Sequence, residues 1–207
     1  MPHSESGATQ YLIMPHTPSV TDESSTLALA VETFTRAFAT RPAFAGVAPG
    51  RVNLIGEHTD YNDGFVLPIA IDRVCACVAA PSAVPASDAS PSLLRISSSD
   101  ALGIVEIDWN KLHQQGPAFI DSLAPPDRWA KYIIGVVELF RRHCETAANV
   151  TLPAMNIGVA SSVPLGGGLS SSASLEVAVA LAIGDERDPL RLARLCQRAE
   201  HRGAGVP

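Results

Sequence analysis

Residues 154–183 read AMNIGVASSVPLGGGLSSSASLEVAVALAI, and no other stretch restricts the fold as tightly. AMNIGVAS has strand character, Pro164 fixes the exit, and residues 169–183 carry the apolar content of a buried helix. Between them stand Gly166, Gly167, Gly168, Ser170, Ser171 and Ser172. A flexible connector is one reading of GGGLSSSAS, but it gives no reason for a long helix to open directly after the loop. A strand–glycine loop–helix arrangement leaves backbone N–H groups unpaired at the positive end of a helix dipole. Glycine also removes the Cβ atoms that would hold an anion away from those donors. The second reading is therefore a phosphate-binding loop, with serine hydroxyls as extra donors or as a ligand for Mg2+.

The loop fits none of the common glycine signatures. It lacks the Gly-Lys-Ser/Thr ending of a P-loop, and a dinucleotide fingerprint would need glycine where Ser171 stands. A nucleophile elbow would need glycine at Ser172. With no lysine in the loop, phosphate charge has to be met by the helix end, by Mg2+ and by a basic residue from elsewhere. Arg51 is the candidate.

Composition narrows the partners. The chain has 207 residues, 46% of them hydrophobic, and a formal net charge of −6, which speaks against nucleic-acid binding. No apolar run approaches the length of a membrane span, and the N-terminal MPHSESGATQ has no secretory pattern, so a cytoplasmic location is expected. Cys75, Cys77, Cys144 and Cys196 show no zinc or redox spacing and read as free thiols. Cys75 and Cys77 alternate, so both should point to one face of a strand.

Along the chain, residues 1–23 are rich in Ser, Thr and Pro and read as a disordered tail, with one domain following over 24–207. A helix is expected from Ser24, with Leu27, Val31, Phe34 and Phe38 at helical spacing. VAPGRVNLIGEHTDYNDG passes from a Pro-Gly turn through a short apolar run into a polar loop. FVLPIAI and RVCACVAA read as strands, with a bulge or an edge at Pro68. LLRISSS and GIVEIDW alternate as strands, DRWAKYIIGVVELFRRHCE is amphipathic, and residues 190–203 form a last helix. The expected class is α+β, a mixed β-sheet with packed helices.

The loop GEHTDYNDG concentrates Glu57, His58, Asp60, Asn62 and Asp63. It is either a solvated turn or a site for a polyhydroxylated substrate, since carboxylates accept hydrogen bonds from sugar hydroxyls and an imidazole donates or accepts. A Ca2+ loop is excluded, because Gly64 comes one position too early and no matching Glu follows.

Three segments resemble one family. GRVNLIGEHTDYNDGFVLPIAI resembles the signature of galactokinases, and SSVPLGGGLSSSASLEVA resembles their ATP loop. CQRAEHRGAGVP, at residues 196–207, is similar to the stretch that leads into the family's catalytic aspartate. The signature occupies about residues 44–71 and the ATP loop about 161–183. Both belong to the GHMP small-molecule kinase superfamily.

The resemblance implies the N-terminal lobe of that fold, with ATP held between two lobes. It implies that Arg51, Glu57, His58 and Asp60 lie at the sugar site, Arg51 beside the transferring phosphoryl group as a transition-state stabiliser. Gly166, Gly167, Gly168, Ser170 and Ser171 would wrap the ATP phosphates, and Ser172 and Glu200 would hold Mg2+. Trp129 would lie near the adenine, its alternative being a core aromatic. The implied reaction gives galactose 1-phosphate from galactose and ATP. The resemblance also places the catalytic aspartate and the C-terminal lobe beyond Pro207, so the chain is expected to be inactive alone. The competing readings are a kinase for another sugar, such as N-acetylgalactosamine or arabinose, and a fungal-type sugar and ATP sensor. Such sensors have lost a Ser-Ala pair in the loop, whereas SSSAS is intact at residues 170–174.

Overall fold

The computed structural model describes residues 20–56, 64–82, 92–148, 151–184, 186 and 188–203. Helix α1 (Val20–Phe38) begins ahead of the expected Ser24. It is followed by β1 (Phe44–Ile55), β2 (Leu67–Pro81), and the hairpin of β3 (Leu93–Ser98) and β4 (Ile104–Asp108). Helices α2 (Trp109–Gln115) and α3 (Pro117–Asp121) come next, then a 3-10 turn (Pro125–Ala130) and α4 (Lys131–His143). Strand β5 (Met155–Ser161), α5 (Ser171–Ile183) and α6 (Pro189–Gly203) complete the described elements.

The strands form one mixed sheet in the order β1-β2-β5-β3-β4. All pairings are antiparallel except β3 with β5. This bears out the α+β reading. Residues 74–80 of β2 are buried without interruption because helices cover both faces of the sheet. Cys75, Cys77 and Ala79 join the larger core with α4, α5 and α6, while Ala76, Val78 and Ala80 meet Ala30 and Phe34 of α1. The period of two places both cysteines on one face, as their spacing predicts.

Two local expectations change. The Pro-Gly pair at Pro49 and Gly50 is not a turn; β1 runs through it, and the register with β2 shifts between Pro49 and Arg51. A second shift between Asn53 and Ile55 lies opposite Pro68, where a missing N–H removes a ladder bond. Trp109, read as the end of a strand, instead opens α2. Asp108 caps that helix, its side chain accepting from the N–H groups of Asn110 and Lys111 at 3.0 Å each.

Helix α5 lies so close to β1 that a Cβ at Gly46 would overlap the Ala178 carbonyl. That approach carries the segment before α5 to the middle of β1. On the far side, α4 is fixed by a buried ion network. Glu138 accepts from Arg141 at 2.7 and 2.8 Å and from Arg142 at 2.6 Å, and Arg141 also donates to Glu145 at 2.6 Å. His113 of α2 lies against Arg141. Among the described residues no helix is long and apolar enough to cross a membrane.

Candidate nucleotide and sugar site

The glycine loop is built between two fixed ends. At its start, Val163 is buried and its N–H donates to Ser161 Oγ at 3.1 Å. Gly166 and Gly168 then take φ of +71° and +69°, a left-handed region that side chains rarely occupy. Ser170, the N-cap of α5, is also left-handed (φ 58°, ψ 45°) and makes no side-chain cap bond. A non-glycine residue held there signals local strain at a constrained turn. Because no side chain caps α5, its first-turn amides face the exposed loop.

The loop is tied to β1 at one point. The N–H of Arg51 donates to the Leu169 carbonyl at 3.0 Å. A Cβ at Gly50 would stand 2.9 Å from that same oxygen, so glycine is needed for the approach. Arg51 therefore sits beside the end of the loop, half-buried on β1. The structure thus brings the candidate cation and the candidate phosphate loop together. Glu57, His58 and Asp60 lie in residues 57–63, outside the described residues.

On the helical side, Ser172 Oγ donates to Glu200 Oε1 at 3.0 Å, joining α5 to α6. One helical turn after Ser172 comes Glu176, only 1% exposed, with Oε1 buried and unpartnered among the described residues. Burial, and then the charge of Glu200, push the Glu176 carboxyl up to about 9. Burial and then Glu200 and Glu176 also raise the Tyr132 phenol of α4. Two carboxyls, a serine hydroxyl and a phenol thus crowd one corner where α4, α5 and α6 meet. Sequence reasoning missed Glu176; the available signal was a single charge within the apolar run of α5, one turn from Ser172.

An all-oxygen donor set of one hydroxyl and carboxylates suits a hard cation such as Mg2+. Among the described residues no group of three or more His, Cys, Asp or Glu is arranged to hold a metal ion unaided. Trp129 is half-buried and packs against the larger core. A groove of about 680 Å³ lined by Phe44, Phe140, Ile183 and Arg194 lies at the opposite end of α5 from the glycine loop.

A mixed sheet whose β5 leads through a glycine-serine loop into α5 is the setting in which the first family match falls. The family model of the GHMP kinases N terminal domain matches residues 131–207. The crystal structure of Methanococcus jannaschii mevalonate kinase, 18% identical, shares the fold with a TM-score of 0.61 over 80% of this chain and 49% of that one.

Within that class the match is narrower. The galactokinase galactose-binding signature matches residues 32–81. Galactokinases of Canis lupus familiaris and Homo sapiens are 45% and 42% identical to the chain, each over 87% of it and 43% of their own length. Lactococcus lactis galactokinase, crystallised with galactose, superposes with a TM-score of 0.64 at 26% identity, over 87% of this chain and 43% of that one. The chain belongs to the galactokinase family, and it spans less than half the length of these relatives.

Proposed function

We propose that the protein transfers the γ-phosphoryl of ATP to the anomeric hydroxyl of D-galactose, giving galactose 1-phosphate. The observation that carries this reading is the bond from Arg51 N–H to the Leu169 carbonyl. It joins the segment matched by the galactose-binding signature to the glycine-serine loop. Phosphoryl transfer asks mainly for alignment and charge neutralisation, and the nearness of Arg51 to the glycine-serine loop supports that reading.

The amides around Gly166, Gly167, Gly168, Ser170 and Ser171 receive the ATP phosphates at the positive end of α5. Arg51 meets the charge that the loop, lacking lysine, leaves uncompensated. Glu57, His58 and Asp60 bind the sugar hydroxyls. Ser172 and Glu200 hold Mg2+, which neutralises phosphate charge when bound. Trp129 lies near the adenine edge. The four cysteines are free, which fits a reducing, cytoplasmic setting.

The test is ADP release by the full-length protein with galactose, N-acetylgalactosamine, arabinose and no sugar. Release that depends on galactose, with far slower turnover of the other two, supports the reading. Tight galactose and ATP binding with no turnover would instead mark a sensor.

A further inference from the structure

The described residues bury two carboxylates, and the fold treats them in opposite ways. Glu138, 4% exposed, is fully engaged by the guanidinium groups of Arg141 and Arg142. Glu176, 1% exposed, has no cation against it, and its Oε1 has no hydrogen-bond partner at all among the described residues. Buried polar atoms are almost always paired, and a buried charge is paired or binds a metal. Nothing in the packing of α5 calls for an acid here. Leu175, Val177, Ala178, Val179 and Ala180 surround it in sequence, and a leucine would continue their apolar run. What is missing at Glu176 is a hydrogen-bond partner for Oε1.

Its position says which one. Glu176 follows Ser172 by one turn on the same side of α5, and Ser172 is bonded to Glu200 of α6. We propose that Glu176 is a positioning residue of this corner, its Oε1 accepting a hydrogen bond from a water in the shell of the divalent cation held by Ser172 and Glu200. Mg2+ keeps several waters when a protein binds it, and each needs an acceptor. The orphaned oxygen supplies one from inside the core, where its orientation is fixed by packing. This deepens the reading of Ser172 and Glu200 as cation ligands and rests on it.

The test needs no turnover. ATP affinity of the full-length protein is measured by calorimetry, without galactose, once in EDTA and once in excess Mg2+. The ratio of the two dissociation constants reports how strongly the bound cation is coupled to the nucleotide. In Glu176→Gln and Glu176→Leu the EDTA value should match wild type, while the gain from Mg2+ falls about 10–100-fold. Thermal scans should show both variants folded. A Mg2+ gain equal to wild type in both variants would make Glu176 a tolerated buried acid and overturn the proposal. Failure of both variants to fold would make it structural and overturn the proposal equally. Ser172→Ala separates the two readings. If it loses the Mg2+ gain while the Glu176 variants keep it, only the role of Glu176 fails. If none of the three loses it, the cation site itself is wrong.

Discussion

Arg51 and Leu169 are joined by a 3.0 Å hydrogen bond from the backbone N–H of β1 to the carbonyl that ends the glycine loop. The bond uses only main chain, so it fixes where Arg51 stands without engaging its guanidinium. Replacing Arg51 with methionine should leave that bond and the fold intact. The rate of galactose phosphorylation should nonetheless fall about 10³-fold, the lower range for an arginine that stabilises a transferring phosphoryl group. Single-turnover kinetics with saturating ATP check this. An unchanged rate would remove Arg51 from the reaction.

Two of the loop glycines, Gly167 and Gly168, should respond differently to alanine. A Cβ added at Gly167 would meet its neighbours at ordinary contact distances, 3.6 Å to Pro164 and 3.9 Å to Leu169, and the backbone there has no positive φ. Gly168 has open space but φ +69°. Gly167→Ala should therefore fold with wild-type stability and lose ATP affinity, because its methyl group obstructs only a ligand. Gly168→Ala should lose about 1–2 kcal/mol of stability from the left-handed backbone. Calorimetry with ATP and urea unfolding of both variants separate the effects. Full ATP affinity in Gly167→Ala would return the loop to the status of a connector.

Asp60→Ala should weaken galactose binding by about 1.5–3 kcal/mol, the worth of a hydrogen bond to a charged partner, and leave ATP binding nearly unchanged. Titration calorimetry with each ligand checks both halves. Unaltered galactose affinity would take Asp60 out of the sugar site.

The ion network of α4 predicts an acid limit to stability. Burial alone would raise the Glu138 carboxyl, but hydrogen bonds and charge from Arg141 and Arg142 outweigh it and hold it below 4.5. A carboxyl depressed by folding contributes its full stabilisation above the unfolded value, near 4.5, and loses it as pH falls through the lower folded value. Glu138→Ala leaves the buried Arg141 guanidinium with Glu145 as its remaining carboxylate partner among the described residues, and should cost about 3 kcal/mol at neutral pH, the lower end for breaking a buried pair. Urea unfolding of wild type and variant between neutral and strongly acid pH should show the gap closing only below that range.

Much of this was legible from sequence, for reasons that differ by element. The strand–loop–helix of β5 and α5 announced itself through Pro164, three glycines and an unbroken apolar run. The alternation of Cys75 and Cys77 gave the correct face because the period of a strand is rigid. Trp109 misled because a bulky apolar residue extends a strand pattern, while the cap that overrules it lies in the side chain of Asp108. Glu176 stayed hidden for a similar reason. A lone glutamate in a helix reads as solvent-facing until the packing of α4, α5 and α6 shows that this one is only 1% exposed. The meeting of Arg51 with Leu169 is long-range, and no local pattern encodes it.

The most direct test of the whole account is the chemical identity of the product. The full-length protein, incubated with galactose, ATP and Mg2+, is followed by phosphorus NMR with proton coupling retained. The account predicts one galactose-dependent sugar phosphate, its phosphorus coupled to a single anomeric proton. A phosphorus signal split by two protons, placing the group on the primary hydroxyl, or no sugar phosphate at all, would contradict it.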